Sequence, residues 1–318
     1  MTERDQPGLQ DRLNTLRSSG LPGTFLRAAG ITRRGHQSDA VADDAAQDAA
    51  RRRRFDHKEP PASTSRRFDI ERMTVEGAPL HLLRQPDAEQ VLVYLPGGAF
   101  VAGPTLQQWW FLTGLMKSTG LDAVLFDYPK APEHTAIDAL PAIMGAFALL
   151  AERHGADNLV LVGDSVGATL ALSLLMQRRD AGLRQPALAL LISPCVDLGL
   201  SNPAIEPKVA SDDVLDVGVL RRDARLFAGV IDVTDHRLSP RFGDPTGLAP
   251  LHVRTGGREI LQPDVVEFVT AAQRAGASAW LIDRAGGSHG WPLAATPAGR
   301  SARQEMRRVV EGIFAGRS

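Results

Sequence analysis

The stretch Leu159-Val160-Leu161-Val162-Gly163-Asp164-Ser165-Val166-Gly167-Ala168 changes its hydrophobic period at its centre. Its first four residues form a short apolar run, the pattern of a strand buried on both faces of a parallel sheet. From Ala168 to Leu175 the apolar residues are spaced as on a helix. The junction therefore reads strand, turn, helix, and Gly163 and Gly167 allow a turn too tight for side chains. Such a turn pushes Ser165 Oγ out at the carboxyl end of the strand and leaves the Val166 N–H free to bind a negative oxygen. Taken alone, Gly-x-Ser-x-Gly also describes an ordinary turn that contains a serine, so its meaning rests on partners elsewhere in the chain.

Outward from this junction, strands and helices alternate from about residue 66. The expected strands are Ile70 to Val75, Leu80 to Leu83, Val91 to Leu95, Ala123 to Phe126, Leu159 to Val162, Ala187 to Ile192, Leu251 to Arg254 and Ala279 to Ile282. Helical spacing recurs in Val265, Phe268, Val269, Ala272 and in Ala302, Met306, Val309, Val310, Ile313. This is the pattern of an α/β fold, a mostly parallel, doubly wound sheet whose functional edge lies at the strands' carboxyl ends. About residues 199–237 interrupt the alternation with a helix-like segment, Val217 to Phe227, and suggest a lid. Residues 1–65 read as an arm or lid helices with a linker at Pro60-Pro61-Ala62-Ser63-Thr64-Ser65. Within the arm, Asp43 to Arg54 runs from acid to base as a helix dipole favours, which makes its four arginines a solvated helix end rather than a nucleic-acid patch.

At 318 residues the chain can bury roughly three quarters of its unfolded surface, enough for one large α/β domain with a lid or for two modest domains. Lys and Arg number 36 against 37 Asp and Glu, so no overall field recruits nucleic acid or an anionic membrane. The expected partner is a small neutral molecule or none. Cys195 is the single cysteine, which excludes an internal disulfide and a cysteine-rich metal site and fits a reducing compartment. With no apolar run of about 18 residues and no apolar core behind the N-terminus, the expectation is a soluble, cytoplasmic protein.

A nucleophilic serine needs oxyanion donors, a base and an acid. Gly97 and Gly98, after the third strand, can turn backbone N–H groups toward a developing oxyanion. Of eight histidines, His36 and His57 lie in the arm and His81 and His252 within strand patterns. His289 instead follows the last strand in a glycine-flanked loop and comes last in the chain order serine, acid, histidine. The acid is expected on the loop after the preceding strand, Arg254 to Asp264. Glu259 lies nearer the strand end; Asp264 is the alternative acid but suits a cap of the next helix, and Asp283 stands third. Phe100 and Trp291 are candidate pocket residues. Trp109 and Trp110, on a helix pattern, suit core packing equally well.

Together these residues resemble the hormone-sensitive-lipase-like group of α/β-hydrolases, the bacterial carboxylesterases and acetyl esterases, over about residues 70–315. Pro96-Gly97-Gly98-Ala99 corresponds to that family's His-Gly-Gly-Gly loop, and Gly163 to Gly167 to its Gly-Asp-Ser-Ala-Gly. Asp127-Tyr128-Pro129-Lys130-Ala131-Pro132-Glu133-His134 corresponds to its Asp-Tyr-Arg-Leu-Ala-Pro-Glu-His, and Ser193-Pro194-Cys195-Val196-Asp197 to its Ser-Pro-Trp-x-Asp. The resemblance implies an ester hydrolase without metal or cofactor, with Ser165, His289 and Glu259 as triad and Gly97, Gly98 and Val166 as oxyanion donors. It also implies that the Asp127-to-His134 motif buttresses the oxyanion loop, which removes His134 as a rival base, and that Asp164 is a scaffold carboxylate. Pro96 stands for the family's histidine, Ala168 for a glycine and Glu259 for an aspartate, its extra methylene to be absorbed by a shift of the loop. Expected is a serine carboxylesterase for short to medium acyl esters. Rival readings are an amidase on the same triad and a ligand-binding protein without turnover. The oligomeric state stays open, a homodimer among the alternatives.

Overall fold

A computed structural model of the chain describes Arg52 and residues 56–315. The arm before Arg52 and the helix expected over Asp43 to Arg54 lie outside the described residues, Arg52 apart. Eight strands form one sheet: β1 Ile70–Val75, β2 Ala78–Leu83, β3 Val91–Leu95, β4 Asp122–Phe126, β5 Leu159–Asp164, β6 Leu188–Ile192, β7 Leu251–Gly256 and β8 Ala279–Arg284. Their spatial order is β1-β2-β4-β3-β5-β6-β7-β8, with β1, β2 and β4 paired antiparallel and every other neighbour parallel. All eight expected strands are present, and β5 and β7 run two residues further than their apolar runs because Gly163, Asp164, Thr255 and Gly256 keep extended pairing.

The helices are α1 Leu106–Thr119, α2 Ala136–His154, α3 Val166–Asp180, α4 Val217–Ala228, α5 Gln262–Arg274 and α6 Pro297–Ala315. Thr105 starts α1 with a capping box, its side chain taking the Gln108 N–H while Gln108 takes the Thr105 N–H. Alternation along each strand divides the core between the two sheet faces: Val93 and Leu95 pack with α2 and α3, whereas Leu92 and Tyr94 pack with α1 and α6. The linker expected at Pro60 to Ser65 contains a helical turn, Ala62–Ser65.

Register aligns the active edge. Leu95 pairs with Gly163, Gly163 with Leu191, Leu191 with Val253 and Val253 with Leu281, so five parallel strands end together. The loops after β3, β5, β6, β7 and β8 therefore leave from one line, at the carboxyl ends. The segment between β6 and β7 contains α4, one residue longer than the expected Val217 to Phe227. Its buried Leu220, Ala224 and Phe227 anchor it, and Phe227 stacks on Phe100 with centroids 4.1 Å apart.

Candidate active site

Ser165 sits between β5 and α3 at φ 52°, ψ −128°, a conformation that L residues rarely adopt. The turn closes only because two side chains are missing. A Cβ on Gly163 would lie 2.7 Å from the Ala168 backbone, and one on Gly167 would lie 2.1 Å from Leu95 O. The Ser165 N–H donates to Ile192 O at 2.8 Å, and α3 begins immediately afterwards. Among the described residues the Val166 N–H meets no acceptor, as the first turn of a helix permits.

The loop after β3 is locked to this turn. A Cβ on Gly97 would come within 2.9 Å of Ser165 Cβ, and one on Gly98 within 1.9 Å of Ala102 O. Its shape is set by Asp164, whose buried carboxylate accepts from Tyr94 O–H at 2.5 Å, Gly97 N–H at 2.9 Å and Gln108 Nε2–H at 3.1 Å. Burial raises the Asp164 pKa above its ordinary value, against the pull of these donors. The Gly97 N–H is thus occupied, which corrects the expectation that it serves as an oxyanion donor. The unpartnered N–H groups of this loop, among the described residues, belong to Gly98, Ala99 and Phe100, and the first two follow Gly97 directly. Ala99 and Phe100 hold φ of 54° and 64°, so the loop keeps its curl against the preference of both residues. Tyr128 O–H supports it from beneath by donating to Pro96 O at 2.8 Å.

From above, the N-terminal segment grips the same loop. Arg52 Nε donates to Val101 O at 2.7 Å, and the guanidinium also bonds Ala131 O and Glu133. Asp56 accepts the Gly103 N–H at 2.7 Å, and the His57 N–H donates to Pro104 O at 2.6 Å. Trp109 is fully buried and gives its Nε1–H to His57 O, while Trp110 is 41 % exposed, so only the first of the pair is core. His134 is exposed; it lies 4.0 Å from Asp138 and, among the described residues, makes no hydrogen bond with the loop. The motif's contacts with the loop come instead from Tyr128 and from the Ala131 N–H, which donates to Phe100 O at 3.0 Å, with Asp164 and Arg52 adding to them.

On the other side of the serine turn, His289 Nδ1 and Glu259 Oε2 are 2.5 Å apart, both side chains at 2 % exposure or less. The other oxygen, Oε1, accepts from Thr255 Oγ1–H at 2.5 Å, Gly256 N–H at 2.6 Å and Ser193 Oγ–H at 2.9 Å. The turn between β7 and α5 is drawn in by these bonds, and the longer arm of a glutamate is absorbed there. Burial would push the Glu259 pKa up, but the His289 charge and these donors bring it below the ordinary value. For His289 the balance is the mirror image: burial lowers its pKa, and the Glu259 hydrogen bond and charge, with Asp212 and Asp164 behind them, raise it overall.

The alternative acid is used elsewhere. Asp264 lies in the first turn of α5, where it bonds Asn202 Nδ2–H at 2.9 Å and pairs with Arg241, neither capping the helix nor touching His289. Asp283 is exposed and accepts from Gln262 Nε2–H at 2.7 Å. Trp291 is a peg rather than a pocket wall, 6 % exposed, its Nε1–H donating to Thr255 O at 3.2 Å and its ring against Gly287. Phe100 is buried in its stack with Phe227 and fastens the oxyanion-side loop to the insertion. Among the described residues no group of three His, Cys, Asp or Glu side chains is placed to hold a metal, and no helix is long and apolar enough to cross a membrane.

Three participants escaped the sequence reading. Ala99 was hidden by the attention that paired glycines attract. Thr255 looked like a strand residue and Ser193 like the start of a motif, although each follows a parallel strand's apolar run and so falls at the active edge.

Comparison with known proteins agrees with this architecture. The family described as alpha/beta hydrolase fold matches residues 92–293. An esterase of Acinetobacter venetianus is 32 % identical over 193 residues, 60 % of this chain and 64 % of that protein. An acetyl-hydrolase of Streptomyces hygroscopicus is 33 % identical over 188 residues, 59 % of this chain and 63 % of that one. The match thus spans less than two thirds of either relative's length. The crystal structure of an esterase from the bacterial hormone-sensitive lipase family superposes with a TM-score of 0.75 at 24 % identity, covering 98 % of both chains. The chain belongs to the α/β-hydrolase fold family. Its glycine loop, serine turn and Asp127-to-His134 motif resemble those of the hormone-sensitive-lipase-like group.

Proposed function

We propose that the protein is a serine carboxylesterase that hydrolyses short to medium acyl esters of small neutral molecules. The buried Glu259–His289 pair carries the reading, because an imidazole held by a carboxylate on one nitrogen presents the other as a general base. Ser165 Oγ attacks the ester carbonyl carbon while His289 Nε2 takes its proton. The tetrahedral oxyanion is met by the Gly98, Ala99 and Val166 N–H groups, whose lack of other acceptors suits that role. Collapse expels the alcohol, which receives the proton from His289, and leaves an acyl-serine. Water, deprotonated by the same imidazole, then releases the acid. Glu259 orients His289 and stabilises the imidazolium at each step without taking a proton itself. The insertion of about residues 199–237 forms the lid, with the N-terminal segment on its other flank. The names of the two relatives, an esterase and an acetyl-hydrolase, support the same reaction class.

The test is hydrolysis of p-nitrophenyl acetate and butyrate, with fluorophosphonate labelling mapped to Ser165. Ser165→Ala should abolish labelling and lower turnover by roughly a millionfold, to the residue that binding and the oxyanion donors sustain. A wild-type protein that neither turns over nor labels is a ligand-binding member of the fold. Faster cleavage of an anilide than of the ester with the same acyl group makes it an amidase.

A further inference from the structure

The insertion does more than cover the site; it is fastened to the turn that carries Glu259. Lys208 Nζ donates to Gly257 O at 2.7 Å, Ser211 Oγ to Arg258 O at 3.1 Å and Arg258 Nε back to Ser211 O at 3.3 Å. The innermost fastening is Asp212, 5 % exposed, whose Oδ2 accepts the Ile260 N–H at 2.8 Å. Its Oδ1 takes the N–H groups of Val214 and Leu215 at 2.8 and 2.9 Å. With N–H donors at both oxygens, the site needs an acceptor at each end of the side chain. A carboxylate offers that and an amide does not. A charge buried this deeply is retained at a cost unless a cation compensates it. Glu259 from the acid turn, Asp212 from the insertion and Asp164 from the end of β5 each favour the imidazolium of His289, while burial raises the pKa of Asp212 itself against the pull of its three N–H donors and of His289.

We propose that Asp212 is a positioning residue for the Glu259–His289 pair: it fixes the turn on which Glu259 stands and directs a second negative charge toward the imidazole. The segment that shapes access to the site then also sets the geometry of its acid. The kinetic part of this inference rests on the esterase reading, whereas the titration of His289 does not.

The experiment is Asp212→Asn, which preserves volume while removing the charge and one acceptor. Its kcat on p-nitrophenyl butyrate should fall roughly ten- to hundredfold, since misplacing a catalytic group by about 1 Å costs on the order of a hundredfold. KM should stay within about twofold of wild type, because an interaction used in the transition state alone lowers kcat and kcat/KM together. The His289 proton NMR titration, assigned by comparison with His289→Ala, should move to lower pH. A folded Asp212→Asn protein with an unmoved His289 midpoint overturns the proposal, even if kcat falls, because general loosening would give that result. A moved midpoint with wild-type kcat overturns the positioning role. Should Asp212→Asn fail to fold, Lys208→Met loosens the same turn from its outer side and should lower kcat severalfold at constant KM; wild-type kcat there overturns the proposal as well. A wild-type protein inactive on every ester ends the esterase reading and leaves the His289 midpoint to decide this one.

Discussion

The glycine loop after β3 and the acid turn after β7 flank the same serine and are built on opposite terms. At the acid turn every oxygen is saturated: Oε1 of Glu259 has three donors and Oε2 has His289. In the glycine loop, three consecutive N–H groups, those of Gly98, Ala99 and Phe100, are left without an acceptor among the described residues, while Gly97 and the carbonyls around them are tied to Asp164, Tyr128 and Arg52. Satisfaction fixes a group that must not move. An unsatisfied donor is tolerated only where its neighbours hold it rigid and a ligand is due to arrive. The backbone differs in part: Ala99, Phe100 and Ser165 hold positive φ where donors are presented and none falls within the Gly256-to-Glu259 turn, although Ser193, which donates to Glu259, also holds a φ of 48°.

The sharpest break in this comparison is Glu259→Gln, which keeps the shape of the acid turn and removes its charge. Turnover should fall by about 10⁴-fold, while Asp264→Asn stays near wild type in kcat and lowers only the melting temperature through loss of the Arg241 pair. Comparing p-nitrophenyl butyrate kinetics of the two variants checks this. The pH profile gives the sign of the charge effect. Since Glu259 raises the His289 pKa, the imidazole is protonated, and unable to take the serine proton, up to a pH above the ordinary histidine value. Wild-type kcat/KM should therefore decline as pH falls through that raised value, and in Glu259→Gln the residual activity should persist to lower pH.

Next in size, Gly98→Ala attacks the unsatisfied side. Its φ of 145° and the approach of Ala102 O forbid a side chain, so the loop must shift and its donors with it. A fall in kcat of about 10²- to 10³-fold, the worth of one oxyanion donor, is expected with fluorophosphonate labelling slowed in parallel. Ser193→Ala removes one of three donors to Glu259 Oε1 and should cost about tenfold in kcat, the equivalent of one hydrogen bond to a charged group at about 1.5 kcal/mol. The smallest effect belongs to Arg52→Ala. The Arg52–Glu133 pair is partly exposed, so losing it should change kcat less than about threefold. A loss of tenfold or more would mean that the glycine loop depends on the N-terminal segment as heavily as on Asp164.

The sheet was legible because strands buried on both faces write their boundaries as apolar runs, and all eight could be placed from hydrophobicity alone. Ser165, His289 and Glu259 could be singled out because each follows such a run on the functional edge. What escaped were groups whose role comes from partners far along the chain. Gly97 looked like a donor until Asp164 claimed its N–H, across 67 residues. Trp291 looked like a pocket wall until Thr255 O claimed its indole, across 36. Local pattern shows where a residue sits, whereas spare bonding capacity is known only once every neighbour is in place.

The Asp164 knot has a bearing on how the chain acquires its chemistry. Tyr94, Gly97 and Gln108 wait for a carboxylate that is synthesised between 56 and 70 residues later. β3 meets it only after β4 and α2 have been laid down between them. The glycine loop thus has no fixed curl in a nascent or half-folded chain, and Ser165 has no facing donors before the middle of the sheet closes. On the esterase reading, the serine therefore gains its facing donors only when segments distant in the chain have come together.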